Sequence, residues 1–144
     1  MGKFDWFWKA MGSTTERNNK KSKAVVADAH GLIGELSLLD DASLASAVAS
    51  TVRDGAIADK PRFLAGLSVA SQRTLGMTPF EVQNQAVLRL LEGDVIQMAT
   101  GEGKTLVGAM AATGFALQGK RVHLITVNNY LAARDAEWMR PLVE

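Results

Sequence analysis

The 144 residues contain no cysteine, three prolines and a single tyrosine. Without cysteine there is no disulfide framework, no thiolate zinc site and no cysteine nucleophile, and a reducing compartment is the default. An excess of one charge is also missing: 16 Lys and Arg stand against 15 Asp and Glu, a formal net charge of +1. That balance argues against a chain that neutralises many phosphates along a duplex. No apolar run approaches the roughly 18 residues of a membrane-spanning helix. What is present is 47% hydrophobic and 22% charged, the profile of one globular domain with a buried core, which excludes disorder across the whole chain.

The charge is unevenly placed. Residues 1–23 carry six basic groups (Lys3, Lys9, Arg17, Lys20, Lys21, Lys23) against Asp5 and Glu16, a net +4, and the remaining ten basic and thirteen acidic groups leave the body at −3. Within this basic arm, Phe4, Phe7, Trp8 and Met11 fall on one face at helical spacing, with Trp6 nearby. Two readings stand side by side: a short helix docked on the body, or an interfacial helix that meets an anionic lipid surface or a partner. Asp5 and Lys9 interrupt the apolar run and Gly12-Ser13-Thr14-Thr15 ends it, so a secretory signal is not expected. Trp6 likewise breaks the myristoylation pattern. The expectation is a cytoplasmic protein, peripheral on the cytoplasmic face of the cell membrane.

Residues 24–76 read as a helical layer. The pattern predicts an Ala-rich helix from Ala24 to Leu39, a second from Asp40-Asp41 to about Arg53 with Gly55 as its stop, and a third from Pro61 to Gly76. From residue 77 the pattern changes. Thr78-Pro79-Phe80-Glu81 is expected to cap and open a helix closed by Gly93. A strand is expected at Asp94 to Ala99, a turn at Thr100 to Gly103, a helix from Lys104 to about Leu117 and a second strand at Arg121 to Val127. A strand, loop, helix, strand unit demands a right-handed crossover and parallel strands, hence an α/β fold.

The loop carries the chemistry. Met98-Ala99-Thr100-Gly101-Glu102-Gly103-Lys104-Thr105 has the length and the last three positions of a phosphate-binding loop. Gly101 and Gly103 free the backbone to aim successive N–H groups inward, and a helix starting near Lys104 adds its positive end. Lys104 then suits the β and γ phosphates, and Thr105 offers a hydroxyl to Mg²⁺. Met98 stands where the general pattern has Gly, and Glu102 brings a negative charge into an anion loop, so a plain strand-to-helix turn is the competing reading. Gln83, on the helix before the strand, has an amide able to pair with adenine N6 and N7, although a Gln on a helix is usually only solvated.

Phe80-Glu81-Val82-Gln83, MATGEGKT at 98–105 and VHLITVNNYLAARDAEWM at 122–139 together resemble the first nucleotide-binding domain of SecA preprotein translocase ATPases. FWKAMGSTTERN at 7–18, with Ala99, is similar to the accessory SecA type. The resemblance implies a P-loop, helicase-like parallel sheet, incomplete here and preceded by the helical N-terminal layer. It also implies that Gln83 contacts adenine, that Thr100, Gly101, Glu102, Gly103, Lys104 and Thr105 hold the phosphates of ATP, and that Thr105 binds Mg²⁺. Met98 and Glu102 are usual in that family. Asn129 departs from it, replacing an Asp, so no role is transferred to that position.

The implied partners are the Sec translocation channel, preproteins and an anionic lipid surface, with no nucleic acid. The implied function is ATP-driven preprotein export by the parent protein. Apart from Lys104 no catalytic group is expected here: phosphoryl transfer also needs an acid on Mg²⁺ and an arginine, and no adjacent Asp-Glu pair follows Thr105. The chain is accordingly expected to be an amino-terminal piece, inactive on its own. Two other functions compete. A fragment of a superfamily 2 RNA or DNA helicase shares the loop, but Thr126-Val127-Asn128-Asn129-Tyr130 stands where a Pro-Thr-Arg-Glu-Leu segment would be expected. A non-enzymatic module docking through its arm on a membrane or channel is the other. Around that segment, Tyr130, Leu131, Ala133 and Trp138 are expected to bury one side of a helix, with Arg134, Asp135 and Glu137 on the polar side. His123 reads as a core residue.

Overall fold

The computed structural model describes residues 14–143, so the aromatic face of Phe4, Phe7, Trp8 and Met11 lies outside the described residues. The order is α1 (Thr14–Leu36), α2 (Asp41–Ala49), β1 (Val52–Arg53), β2 (Ala56–Ile57), α3 (Lys60–Leu75), α4 (Glu81–Leu91), α5 (Lys104–Leu117) and α6 (Asn129–Val143). None of the described helices is long and apolar enough to cross a membrane.

The centre is α3. Residues 63–69 are buried without interruption, as expected of a helix enclosed on every side by α1, α2 and α6. Asp59 starts α3 by accepting the Arg62 N–H (3.0 Å), and Pro61 sits in its first turn, where a missing N–H costs nothing. Gly76 ends it in the left-handed conformation. Against α3, α1 lays Ser22, Val26, Ala29 and Leu36, one stripe at helical spacing. The exposed side is joined by ion pairs: Arg62 to Glu35 (3.1 Å), and Arg73 to Asp41 (2.8 Å) with further bonds to the carbonyls of Ser37 (2.9 Å) and Leu39 (2.6 Å).

The first helix differs from its expected bounds. It begins by Thr14 and runs unbroken through 23–24. The second is shorter than expected: α2 stops at Ala49, and the residues up to Ile57 form an antiparallel hairpin with Val52 opposite Ile57 and Arg53 opposite Ala56. β-Branched Thr51 and Val52 favour the strand. Asp54 (φ 52°) and Gly55 (φ 72°) both take positive φ, the requirement of a two-residue hairpin turn matched to strand twist. Gly55 is therefore a hairpin residue and not a helix stop.

The elbow between α3 and α4 is held from inside. Ser71, fully buried, donates its hydroxyl to the Met77 carbonyl (2.6 Å). Thr78 is not the cap of α4: its hydroxyl bonds the Gln72 side-chain oxygen (2.5 Å), and Phe80 takes the N-cap position. From α4, Val87 and Leu88 enter the core, and α5 packs beside it with Leu106, Val107, Met110 and Ala111.

Among the described residues the hairpin is the only sheet, and residues 94–99 and 121–127 carry no strand pairing. A ladder exists only where a neighbour supplies the complementary N–H and C=O groups, and these two segments do not pair with each other. Residues 94–98 nonetheless alternate in burial, with Ile96 and Met98 against the core and Val95 facing out. Arg89 ties this segment to α4 by pairing with Asp94 and with Glu92 (2.7 Å), which also meets Lys60 (2.7 Å).

Helix α6 turns a different side inward from the expected one. Met139 and Leu142 are buried and Leu131 is half-buried, whereas Tyr130, Ala133 and Trp138 are exposed. Arg134 and Asp135 do pair, through Nε (2.9 Å) and Nη2 (2.6 Å) on one carboxylate oxygen. His123 is exposed, contrary to the core assignment: the apolar residues around it have no second layer to pack under.

Candidate functional site

The site starts at the first turn of α4. Buried Pro79 leads the chain to Phe80, and the Gln83 side-chain oxygen accepts the Phe80 N–H (2.8 Å), satisfying one of the donors at the helix start. Gln83 is only 6% exposed. Its Nε2 donates to the Glu102 carbonyl (2.9 Å), so one amide joins α4 to the loop. Both the oxygen and the nitrogen of the Gln83 amide are thus engaged within the chain, each with one bond.

The loop itself is shaped by two glycines, Gly101 (φ 88°) and Gly103 (φ 74°). At Gly103 the requirement is double: the left-handed conformation disfavours any side chain, and a Cβ there would collide with the Gln83 amide nitrogen. Gly103 is the N-cap of α5, and no side chain caps that helix. Its first N–H groups and the positive end of its dipole are therefore available to an anion.

Ala99 is the centre of the remaining bonds. Lys104 Nζ donates to the Ala99 carbonyl (2.7 Å), the Glu102 carboxylate accepts the Ala99 N–H (2.6 Å), and the Glu102 N–H donates to the Ala99 carbonyl (3.3 Å). Thr100, Gly101, Glu102 and Lys104 are exposed, and Gly103 and Thr105 half-buried. The Thr105 hydroxyl has no hydrogen-bond partner among the described residues. The structure therefore brings six of the expected residues into one loop and ties the seventh, Gln83, to it.

The model of the SecA DEAD-like domain matches residues 7–144. The chain belongs to this SecA family. SecA DEAD-like membership implies a helicase-like P-loop fold, the architecture in which a loop of this kind sits. The chain is 62% identical over 144 residues to protein translocase subunit SecA 2 of Corynebacterium glutamicum (strain R), covering 100% of this chain and 19% of that protein. It is 50% identical over 140 residues to protein translocase subunit SecA 3 of Mycolicibacterium vanbaalenii, covering 96% of this chain and 18% of that protein. Protein translocase subunit SecA of Mycobacterium avium (strain 104) is similar at 49% over 140 residues. The chain thus spans about a fifth of the length of the curated relatives it matches.

Two polar roles in this SecA chain escape sequence reasoning. Ala99 acts only through its backbone, for which a sequence carries no signal beyond the spacing of Glu102 and Lys104. Asn128, not singled out for itself, caps the start of α6 by accepting the Leu131 N–H on its side-chain oxygen (2.9 Å). An Asn directly after a strand-like run is the available signal. Asn129 is the first helical residue and exposed.

Proposed function

We propose that this chain supplies the beginning of an ATP-driven protein-export motor, with residues 77–144 as the first part of its nucleotide-binding domain, 24–76 as the helical layer behind it and 1–23 as a basic arm. The observation that carries the reading is the uncapped start of α5 behind Gly103, with Lys104 one residue on. In this reading the backbone N–H groups of 100–105 surround the phosphates, and Lys104 leaves the Ala99 carbonyl to meet the outer ones, exchanging a neutral acceptor for an anion. Thr105, whose hydroxyl is unengaged, is the residue suited to Mg²⁺, which neutralises phosphate charge when bound. Gln83 fixes the loop and meets the adenine with what remains of its amide donor and acceptor capacity.

The segments 94–99 and 121–127 are proposed to enter a parallel sheet whose remaining strands come from elsewhere in the polypeptide. The alternating burial of 94–98 supports this. The acid and the arginine needed for hydrolysis are likewise assigned to parts outside these residues, which by themselves hydrolyse nothing. Partners in this reading are the Sec channel, preproteins and anionic lipid on the cytoplasmic face of the membrane, with nucleic acid excluded.

Titration calorimetry of the intact protein with Mg-ATP tests the assignment. Binding is expected for the natural sequence and loss of about tenfold or more in affinity for Lys104→Ala, the loss of a charge-assisted bond to phosphate. Equal heats from both proteins would refute the loop as the site.

A further inference from the structure

The Glu102 carboxylate and the Lys104 ammonium close on opposite ends of the same residue. One takes the Ala99 N–H at 2.6 Å, the other gives to the Ala99 carbonyl at 2.7 Å. The two bonds differ in what an incoming polyphosphate does to them. Lys104 gains by leaving a neutral carbonyl for an anion. Glu102 does not gain: it is itself the anion on a loop amide, and a phosphate beside it meets a like charge. The backbone of Glu102 points the other way in this balance, because its carbonyl is held by Gln83 (2.9 Å). The position therefore anchors the loop through its main chain and opposes the ligand through its side chain.

Resting on the reading of 98–105 as a polyphosphate site, we infer that the Glu102 carboxylate is an internal competitor, a built-in anion that holds the loop closed on Ala99 and sets the threshold a ligand must exceed. A ligand displaces it only by bringing several charged oxygens to the loop and Lys104 together.

The test is ADP and inorganic triphosphate binding to the intact protein, compared among the natural sequence, Glu102→Gln, Glu102→Ala and Lys104→Ala, with hydrogen exchange read at the Ala99 amide. Glu102→Gln keeps an oxygen for the Ala99 N–H and removes the charge. It is expected to bind both ligands about fivefold tighter, the effect of one unit charge about 4 Å away in water. Glu102→Ala is expected to speed exchange at Ala99 in the ligand-free protein, which Glu102→Gln leaves slow. Wild-type affinity in both Glu102 variants, with binding still lost in Lys104→Ala, overturns the competitor and leaves the loop assignment standing. Ala99 exchange unchanged by Glu102→Ala also overturns it. No binding by the natural sequence overturns both. Thermal melts of the variants, expected to coincide because Glu102 is exposed, separate these outcomes from misfolding.

Discussion

Residues 60–91 bury Phe63, Leu64, Val87 and Leu88 almost completely, whereas the segments 94–99 and 121–127 leave Val95 (99% exposed), Ile125 (93%) and Val127 (87%) in solvent. Both stretches are apolar, and they differ in how the backbone is satisfied. A helix closes its own hydrogen bonds and needs only a face to bury, which neighbouring helices provide within a few dozen residues. A strand has neither until others lie beside it. Among the described residues the helices around α3 cover one another's apolar faces, whereas 94–99 and 121–127 pair with no strand and leave much of their apolar surface in solvent.

The largest test of that contrast compares two apolar truncations. Phe63→Ala removes a ring from the centre of the core and should lower unfolding free energy by about 3–5 kcal/mol in a urea titration. Ile125→Ala should change it by no more than about 0.5 kcal/mol. Similar losses at the two sites would mean that the second region packs as firmly as the first, and the contrast would fall.

The boundary between the regions gives a smaller effect. Gly103→Ala puts a side chain at φ 74° and against the Gln83 amide, with a strain of about 1–2 kcal/mol and loss of the bond to the Glu102 carbonyl. Weaker nucleotide binding with little change in the urea midpoint is the expected result, since the helical layer stands without the loop. A large drop in the midpoint would show instead that the loop supports the layer.

The smallest effect lies wholly within the layer. Asp40 caps α2 by accepting the Ser43 N–H (2.7 Å), and that bond holds its carboxyl below the ordinary aspartate range. A lowered folded value means that the contribution is complete above the unfolded pKa and lost as pH falls through the folded one. Asp40→Ala should therefore lower the melting temperature slightly near neutral pH, with the difference shrinking in acid. A constant difference across that range would assign the loss to something other than the charged cap.

These regions also differed in how far the sequence disclosed them. Helix ends marked by backbone chemistry were legible: Pro61 and Gly76 bracket α3 to within a residue, and α5 runs from Lys104 to Leu117 as expected. The hairpin was not, because Gly55 after a helical pattern reads as a helix stop, although Asp54-Gly55 as a pair is a hairpin signal. The inward side of α6 was not legible either, because Tyr130 and Trp138 are large and apolar and yet exposed; Met139 and Leu142 are the buried pair. For the site, the glycines, Lys104 and Thr105 were legible as a loop with a helix behind it. What could not be read is that Glu102 and Lys104 both bond Ala99, since that depends on three-dimensional reach and not on residue type.

Ser71 is as enclosed as any residue in the molecule, and its hydroxyl fixes Met77 across the α3–α4 elbow. That makes the elbow a bracket braced from inside. Because Gln83 lies in the first turn of the next helix and grips Glu102, the loop at 99–104 hangs from that bracket, and the layer behind it is the datum from which the loop is placed. A cavity opened in α3 would reach the loop as misalignment, long before the helices themselves came apart.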